Sequence, residues 1–269
     1  MIRLVLALLT VALPAAAQER IPSHCIALAG EIPGARYLQL ASYADPLPAG
    51  EVRISFIDHA SFLIQTEGGL AAVTDFTGNI GGADLVPDVV TMNNAHITHF
   101  TMAPDPAIPH VLEGWPRGGQ PRDHDLDLGE MLVRNVHTDL RSEGGGVAKN
   151  GNSIFIFEAA GLCIGHLGHL HHEPDAAQYA AIGRLDVVMA AVDGGVTLDT
   201  ASMIRVMQRF KARVVLPMHW WGRGTLSRFL TGMQGEFDVV EAGMREITLS
   251  LDKLPRRPTV IVLEPGRLD

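Results

Sequence analysis

The stretch Val89-Val90-Thr91-Met92-Asn93-Asn94-Ala95-His96-Ile97-Thr98-His99 decides how this chain is read: an aliphatic run of strand character ends in a turn that carries two histidines. The same event recurs three times. Met131-Leu132-Val133-Arg134-Asn135-Val136 runs into His137, Leu162-Cys163-Ile164-Gly165 into His166-Leu167-Gly168-His169, and Val214-Val215-Leu216-Pro217-Met218 into His219. A lone histidine at a strand end is ordinarily structural. Four such ends in one chain are how an α/β scaffold gathers metal ligands from separate strands.

Around these four ends the pattern is regular. Short strands are predicted over 52–57, 61–65 and 70–75, with Glu67-Gly68-Gly69 joining the last two as a hairpin. Residues 101–128 are rich in Pro, Gly and Asp and are predicted to form a long irregular excursion, a kind of segment that often serves function. Ser142-Glu143-Gly144-Gly145-Gly146 then separates His137 from a strand over 153–157. The second half alternates: a helix over 175–185, a strand over 186–192, an amphipathic helix over 198–210 capped by Thr197, and a short helix over 226–233. Strands over 246–251 and 259–263 close the chain. The expected fold class is α/β, an αββα sandwich of two packed mixed β-sheets with helices on the outer faces.

Composition bounds the partners. The chain has 269 residues, 47% hydrophobic and 19% charged, enough to bury a sizeable core. A formal charge of −9 argues against a nucleic-acid partner, which needs a basic face. No basic run offers a membrane-surface patch. At the N-terminus, Arg3, the uncharged stretch 4–12 and Ala15-Ala16-Ala17 before Gln18 read as a secretory signal cut after Ala17. That stretch is shorter than the roughly 20 residues a spanning helix needs. The expected organisation is therefore a signal over 1–17, an N-terminal extension over 18–50 and one domain over 51–269, in a periplasmic or secreted protein. In such an oxidising compartment Cys25 and Cys163 either pair or remain separate, and sequence alone leaves both open.

With these motifs in place, the chain resembles the metallo-β-lactamase superfamily, in the branch of L-ascorbate-6-phosphate lactonase-like proteins, over roughly residues 52–220. Asp58-His59-Ala60-Ser61-Phe62-Leu63-Ile64 is similar to that branch's G-H-A-S-F-L-I, and Thr74-Asp75-Phe76 to T-D-P. Leu167-Gly168-His169 resembles L-G-D, and Pro217-Met218-His219 matches P-M-H. The resemblance implies that Asp75 supports the metal loop from behind, that His219 is a ligand, and that His137 stands where the second half supplies another. His59 is typical of the family, although a strand-end role suits it equally.

The signature itself departs from the family. H-x-H-x-D-H appears as Asn94-Ala95-His96-Ile97-Thr98-His99, so Asn94 replaces its first histidine and Thr98 its aspartate. His169 replaces the aspartate that bridges two metals. Two divalent ions about 3.5–4 Å apart repel by roughly 20 kcal/mol even at an effective dielectric near 20. Without anionic ligands to offset this, one ion is expected, zinc first with manganese as the alternative. The expected ligands are His96, His137 and His169, with His99 and His219 completing the shell or forming a second pocket. Three imidazoles and a water are a known catalytic zinc arrangement.

No general base stands out. Thr98 can hydrogen-bond to a nucleophilic water, and Asp193, after another buried strand, is the nearest carboxylate, although a turn residue bonding its own backbone would look the same. Asp139 is a weaker candidate. His166, His171 and His172 are read as a polar rim. The expected activity is that of an exported metal-dependent hydrolase in which the metal activates water against a small-molecule ester, lactone, amide or phosphoester. The competing expectation is a degraded member of the fold that binds metal or a small molecule without turnover.

Overall fold

The computed structural model describes residues 23–27, 42–142 and 144–268. The expected signal over 1–17 and most of the extension over 18–50 lie outside the described residues.

Two mixed sheets pack face to face. The first contains, in spatial order, β13 (Glu246–Leu249), β1 (Val52–Asp58), β2 (Ser61–Thr66), β3 (Ala71–Val73), β4 (Val89–Met92) and β5 (His110–Glu113). The second runs β12 (Asp238–Glu241), β14 (Thr259–Val262), β11 (Val214–Met218), β10 (Val187–Ala191), β9 (Leu162–His166), β8 (Val147–Ala159), β7 (Met131–Arg141) and β6 (Asp125–Asp127). Val52, Ile54 and Phe56 from β1 meet Val133, Phe155, Phe157 and Met189 across the interface. The expected β2–β3 hairpin forms, pairing Leu63 with Val73.

The parallel strands explain their own sequences. β10 and β11 are buried along their whole length, so they read as continuous aliphatic runs rather than alternations. Pro217 is tolerated in β11 because β14 pairs only with Val214 and Val215. Helices α2 (Ala176–Ile182), α3 (Thr200–Phe210) and α4 (Arg223–Met233) cover the outer face of the eight-stranded sheet through residues such as Met203, Val206, Phe229 and Leu230. Loop segments carrying Phe76, Ile80 and Ile108 cover the outer face of the other sheet. The N-cap of α3 is Asp199, whose side chain accepts from the Ser202 N–H, and not Thr197.

Two expectations are corrected. The segment 101–128 contains β5 and β6, and β7 does not end at Val136 but continues to Arg141, paired with β8 as far as Val147. His137 is therefore a mid-strand residue. Cys25 and Cys163 form a disulfide across 138 residues of sequence, tying α1 (His24–Ala27) to β9. Glu158 completes that attachment by accepting from the His24 N–H and from Arg134 Nε.

Candidate metal centre

Five turns deliver the site. The β1–β2 turn carries His59, the loop after β4 carries His96 and His99, and the loop after β9 carries His169 and His171. The ends of β10 and β11 carry Asp193 and His219. Side chains gathered beyond the carboxyl ends of parallel strands are the usual solution in α/β sheets. Two of these positions, His59 (φ 45°) and His219 (φ 60°), have left-handed backbone, as does Asp75 (φ 42°) after β3. Non-glycine residues persist there only where surrounding contacts hold them, and the His219 N–H donating to the His59 carbonyl at 2.8 Å is one such contact.

Two carboxylates set the chemistry. Buried Asp75 accepts from His99 Nδ1 at 2.7 Å and from the Asn93 N–H at 2.9 Å. Asp193 accepts from His219 Nδ1 at 2.8 Å and from Thr197 Oγ1 at 2.6 Å, while the N–H groups of Gly195, Val196 and Thr197 converge on its other oxygen. Burial alone would raise both carboxyl pKa values. The adjoining imidazoles and hydrogen bonds overcome it and hold both below the usual carboxylate range. Each carboxylate fixes its histidine as the Nδ1–H tautomer, which turns the Nε2 lone pair inward.

Those two Nε2 atoms lie 3.2 Å apart. With neutral rings, two lone pairs face one another, an arrangement that a shared cation satisfies. Tetrahedral zinc with bonds of about 2.0–2.1 Å places its nitrogens about 3.3–3.4 Å apart. His59 joins them: His59, His99 and His219 offer ligand atoms all within 4.8 Å of one another. Its Nε2 is buried without a hydrogen-bond partner, and burial followed by the neighbouring His219 and His99 lowers its pKa to about 3. The donor set fits a single divalent ion.

The other expected ligands stand differently. His96 is exposed, and its Nδ1 lies 3.0 Å from Thr98 Oγ1, so Thr98 addresses that ring and not an open site. His169 stands beside the group, its ring 4.8 Å from His99 between centroids, but does not join the three ligand atoms. His137 faces Asp123 through Nε2 at 3.0 Å and Ser153 through Nδ1 at 3.3 Å, so the structure does not bring it to the cluster. Asn94 forms a backbone bridge with Asn152. Asp193 is saturated and positions His219, which removes it as a general base. Asp139 is taken up by Lys149 and the Asn150 N–H.

The sequence left His59 open between a family-typical site residue and a strand-end role, and the structure places it among the candidate ligands. Sequence reasoning missed the buried asparagines. Asn152 Oδ1 accepts from the His169 N–H at 2.8 Å, and Asn93 Nδ2 reaches the Ser153 carbonyl and His166. His166 is no rim residue. It is fully buried, donates to the Ala60 carbonyl at 2.7 Å, and is kept neutral by burial. In a second trio, His24, Cys25 and Cys163, both thiols are spent in the disulfide.

Residues 53–219 match the model of a family described as the beta-lactamase superfamily domain. A curated relative, the UPF0173 metal-dependent hydrolase of Hyperthermus butylicus, is 25% identical over 154 residues, which are 56% of this chain and 56% of the relative. The chain thus spans about half the length of the curated relative it matches. Among solved structures, a Thermotoga maritima protein described as a candidate Zn-dependent hydrolase of the metallo-beta-lactamase superfamily is similar at a TM-score of 0.55 and 25% identity, covering 79% of this chain and 98% of that one. Igni18, a metallo hydrolase of Ignicoccus hospitalis, shares the fold at a TM-score of 0.52 and 14% identity, covering 75% and 99%.

Proposed function

The chain belongs to the beta-lactamase superfamily, and we propose that it is an exported hydrolase that uses one divalent ion to cleave a small-molecule ester, lactone, amide or phosphoester. The observation that carries this reading is the pair of carboxylate-backed imidazoles, His99 on Asp75 and His219 on Asp193, whose Nε2 atoms lie 3.2 Å apart beside His59. His59, His99 and His219 would hold the ion, zinc first and manganese second. When bound, a divalent ion polarises a carbonyl or phosphoryl oxygen and lowers the pKa of water. Asp75 and Asp193 orient the ligand rings and hold them in the tautomer that leaves Nε2 free. Exposed Trp221, 4.7 Å from the His59 ring, and exposed Ile97 border the site and suit a substrate with an apolar portion. The curated relative and the Thermotoga protein are both described as metal-dependent hydrolases, which supports the same reading.

The signal-like N-terminus and the buried disulfide, which suits an oxidising compartment, support the export part of this reading. No helix among the described residues is long and apolar enough to cross a membrane. Neither a nucleic-acid nor a membrane partner is proposed.

One observation favours a second reading, binding without turnover: neither Thr98 nor Asp193 presents a free base to the site. The test is metal content of protein purified from its native compartment, with a panel of esters, lactones, amides and phosphoesters. One ion with turnover supports the hydrolase. One ion without turnover on the whole panel supports binding alone. Protein that neither retains nor takes up a divalent ion contradicts both.

A further inference from the structure

A chain of hydrogen bonds runs into the site from β7. The Arg141 backbone N–H donates to His171 Nδ1 at 2.8 Å, and His171 Nε2 lies 2.8 Å from His169 Nδ1. His169 Nε2 is buried and has no hydrogen-bond partner among the described residues.

The first bond determines the others. A backbone amide only donates, so His171 Nδ1 carries a lone pair and the ring's proton sits on Nε2. That proton faces His169 Nδ1, which must accept it. His169 then holds its own proton on Nε2. Protonating either ring fully would set two N–H groups head to head, so the geometry admits one arrangement. It is the reverse of His99 and His219, where Nδ1 is protonated and Nε2 is free to ligate.

We infer that His169 stands outside the metal's coordination shell and donates a hydrogen bond from Nε2 to the substrate oxygen that gains negative charge during hydrolysis. This rests on the hydrolase reading above. No proton leaves His169; its hydrogen bond strengthens as charge builds on the acceptor. The donor is fixed in advance. The His169 N–H is held by Asn152 Oδ1, and Gly168 (φ 60°) allows the close turn, since a Cβ there would lie 2.5 Å from the same oxygen and 2.6 Å from Asn93 Cβ. The ring stands at 76° to His99 and 75° to His219, beside the candidate ligands. A carboxylate here would attract a second cation. A histidine held as the Nε2–H tautomer attracts an anionic oxygen instead.

The test uses the full chain labelled with 15N-histidine. Long-range 15N–1H spectra should show His169 protonated at Nε2 both before and after one equivalent of zinc, while the Nε2 resonances of His99 and His219 move. Zinc affinity should be unchanged in His169→Ala. Phenylphosphonate, a stable tetrahedral anion, should bind zinc-loaded His169→Ala about 10–100-fold more weakly than wild type, as loss of a hydrogen bond to a charged group implies. His169→Gln, which keeps an N–H donor, should recover part of that loss. Loss of the Nε2 proton on zinc addition, or loss of zinc affinity in His169→Ala, overturns the inference. So does phosphonate binding that is equal in His169→Ala and wild type. None of these readouts needs turnover, so an empty substrate screen would count against the hydrolase reading alone.

Discussion

Two pairs of imidazoles border this site, and different chemistry holds each. His99 and His219 give their Nδ1–H to carboxylates, Asp75 at 2.7 Å and Asp193 at 2.8 Å. His96 and His169 lean on neutral groups, Thr98 Oγ1 at 3.0 Å and His171 Nε2 at 2.8 Å. A carboxylate behind the ring raises basicity and fixes the tautomer that ligates. A neutral partner leaves the ring a weaker base, and in His169 it fixes the opposite tautomer. The residue type alone does not distinguish ligand from donor; the group behind the ring does.

The changes expected in zinc affinity rank the ways to break this comparison. His99→Ala or His219→Ala, followed by calorimetric titration, should cost more than the roughly 10–100-fold that losing an outer partner costs, whereas His96→Ala should cost little. An equal loss in His96→Ala would erase the distinction between the pairs. Asp75→Asn and Asp193→Asn should each weaken zinc by about 10–100-fold, with Thr98→Ala near wild type in the same assay.

Cys25→Ser serves as a control away from both pairs. Opening a 138-residue loop should cost about 2–4 kcal/mol in denaturant unfolding and leave zinc affinity unchanged. Zinc binding that fell in step with stability would show that the site is not preorganised independently of this staple.

A separate test concerns pH and the zinc-free protein. Burial lowers the pKa of His166, of His169 to about 2, and of His171 to about 4. In the unfolded chain these rings take up protons near 6.5. Below that pH the unfolded state binds more protons, so stability falls as pH drops from about 6.5 toward 4, and these rings give no slope above about 7. Scanning calorimetry in chelator should show this rise and plateau. A midpoint that rises on acidification would contradict it.

How legible each part was follows from where burial creates a pattern. β10 and β11 stood out because both faces are buried and every residue is apolar. The outer part of the β7–β8 ribbon was missed because Asp139–Arg141 and Val147–Asn150 mix apolar and charged residues and run half-buried to exposed beyond the core, without an inside-outside alternation. That extension turned His137 into a false strand end. β6 is three residues with two exposed aspartates, which gives periodicity nothing to detect. Asp75, His99 and His219 were recoverable from local motifs. The pairing of Asp193 with His219 joins residues 26 apart, and no local motif encodes it. The sequence also held no sign that Thr98 would turn to His96, or that His171 would set the tautomer of His169.

The most direct test of the central claim is anomalous diffraction at the zinc edge from crystals of the zinc-loaded protein. The account predicts one ion about 2.0–2.1 Å from the ring nitrogens of His59, His99 and His219, with His169 Nε2 beyond bonding distance. An ion bonded to His96 or His169, or a second ion beside the first, would contradict it.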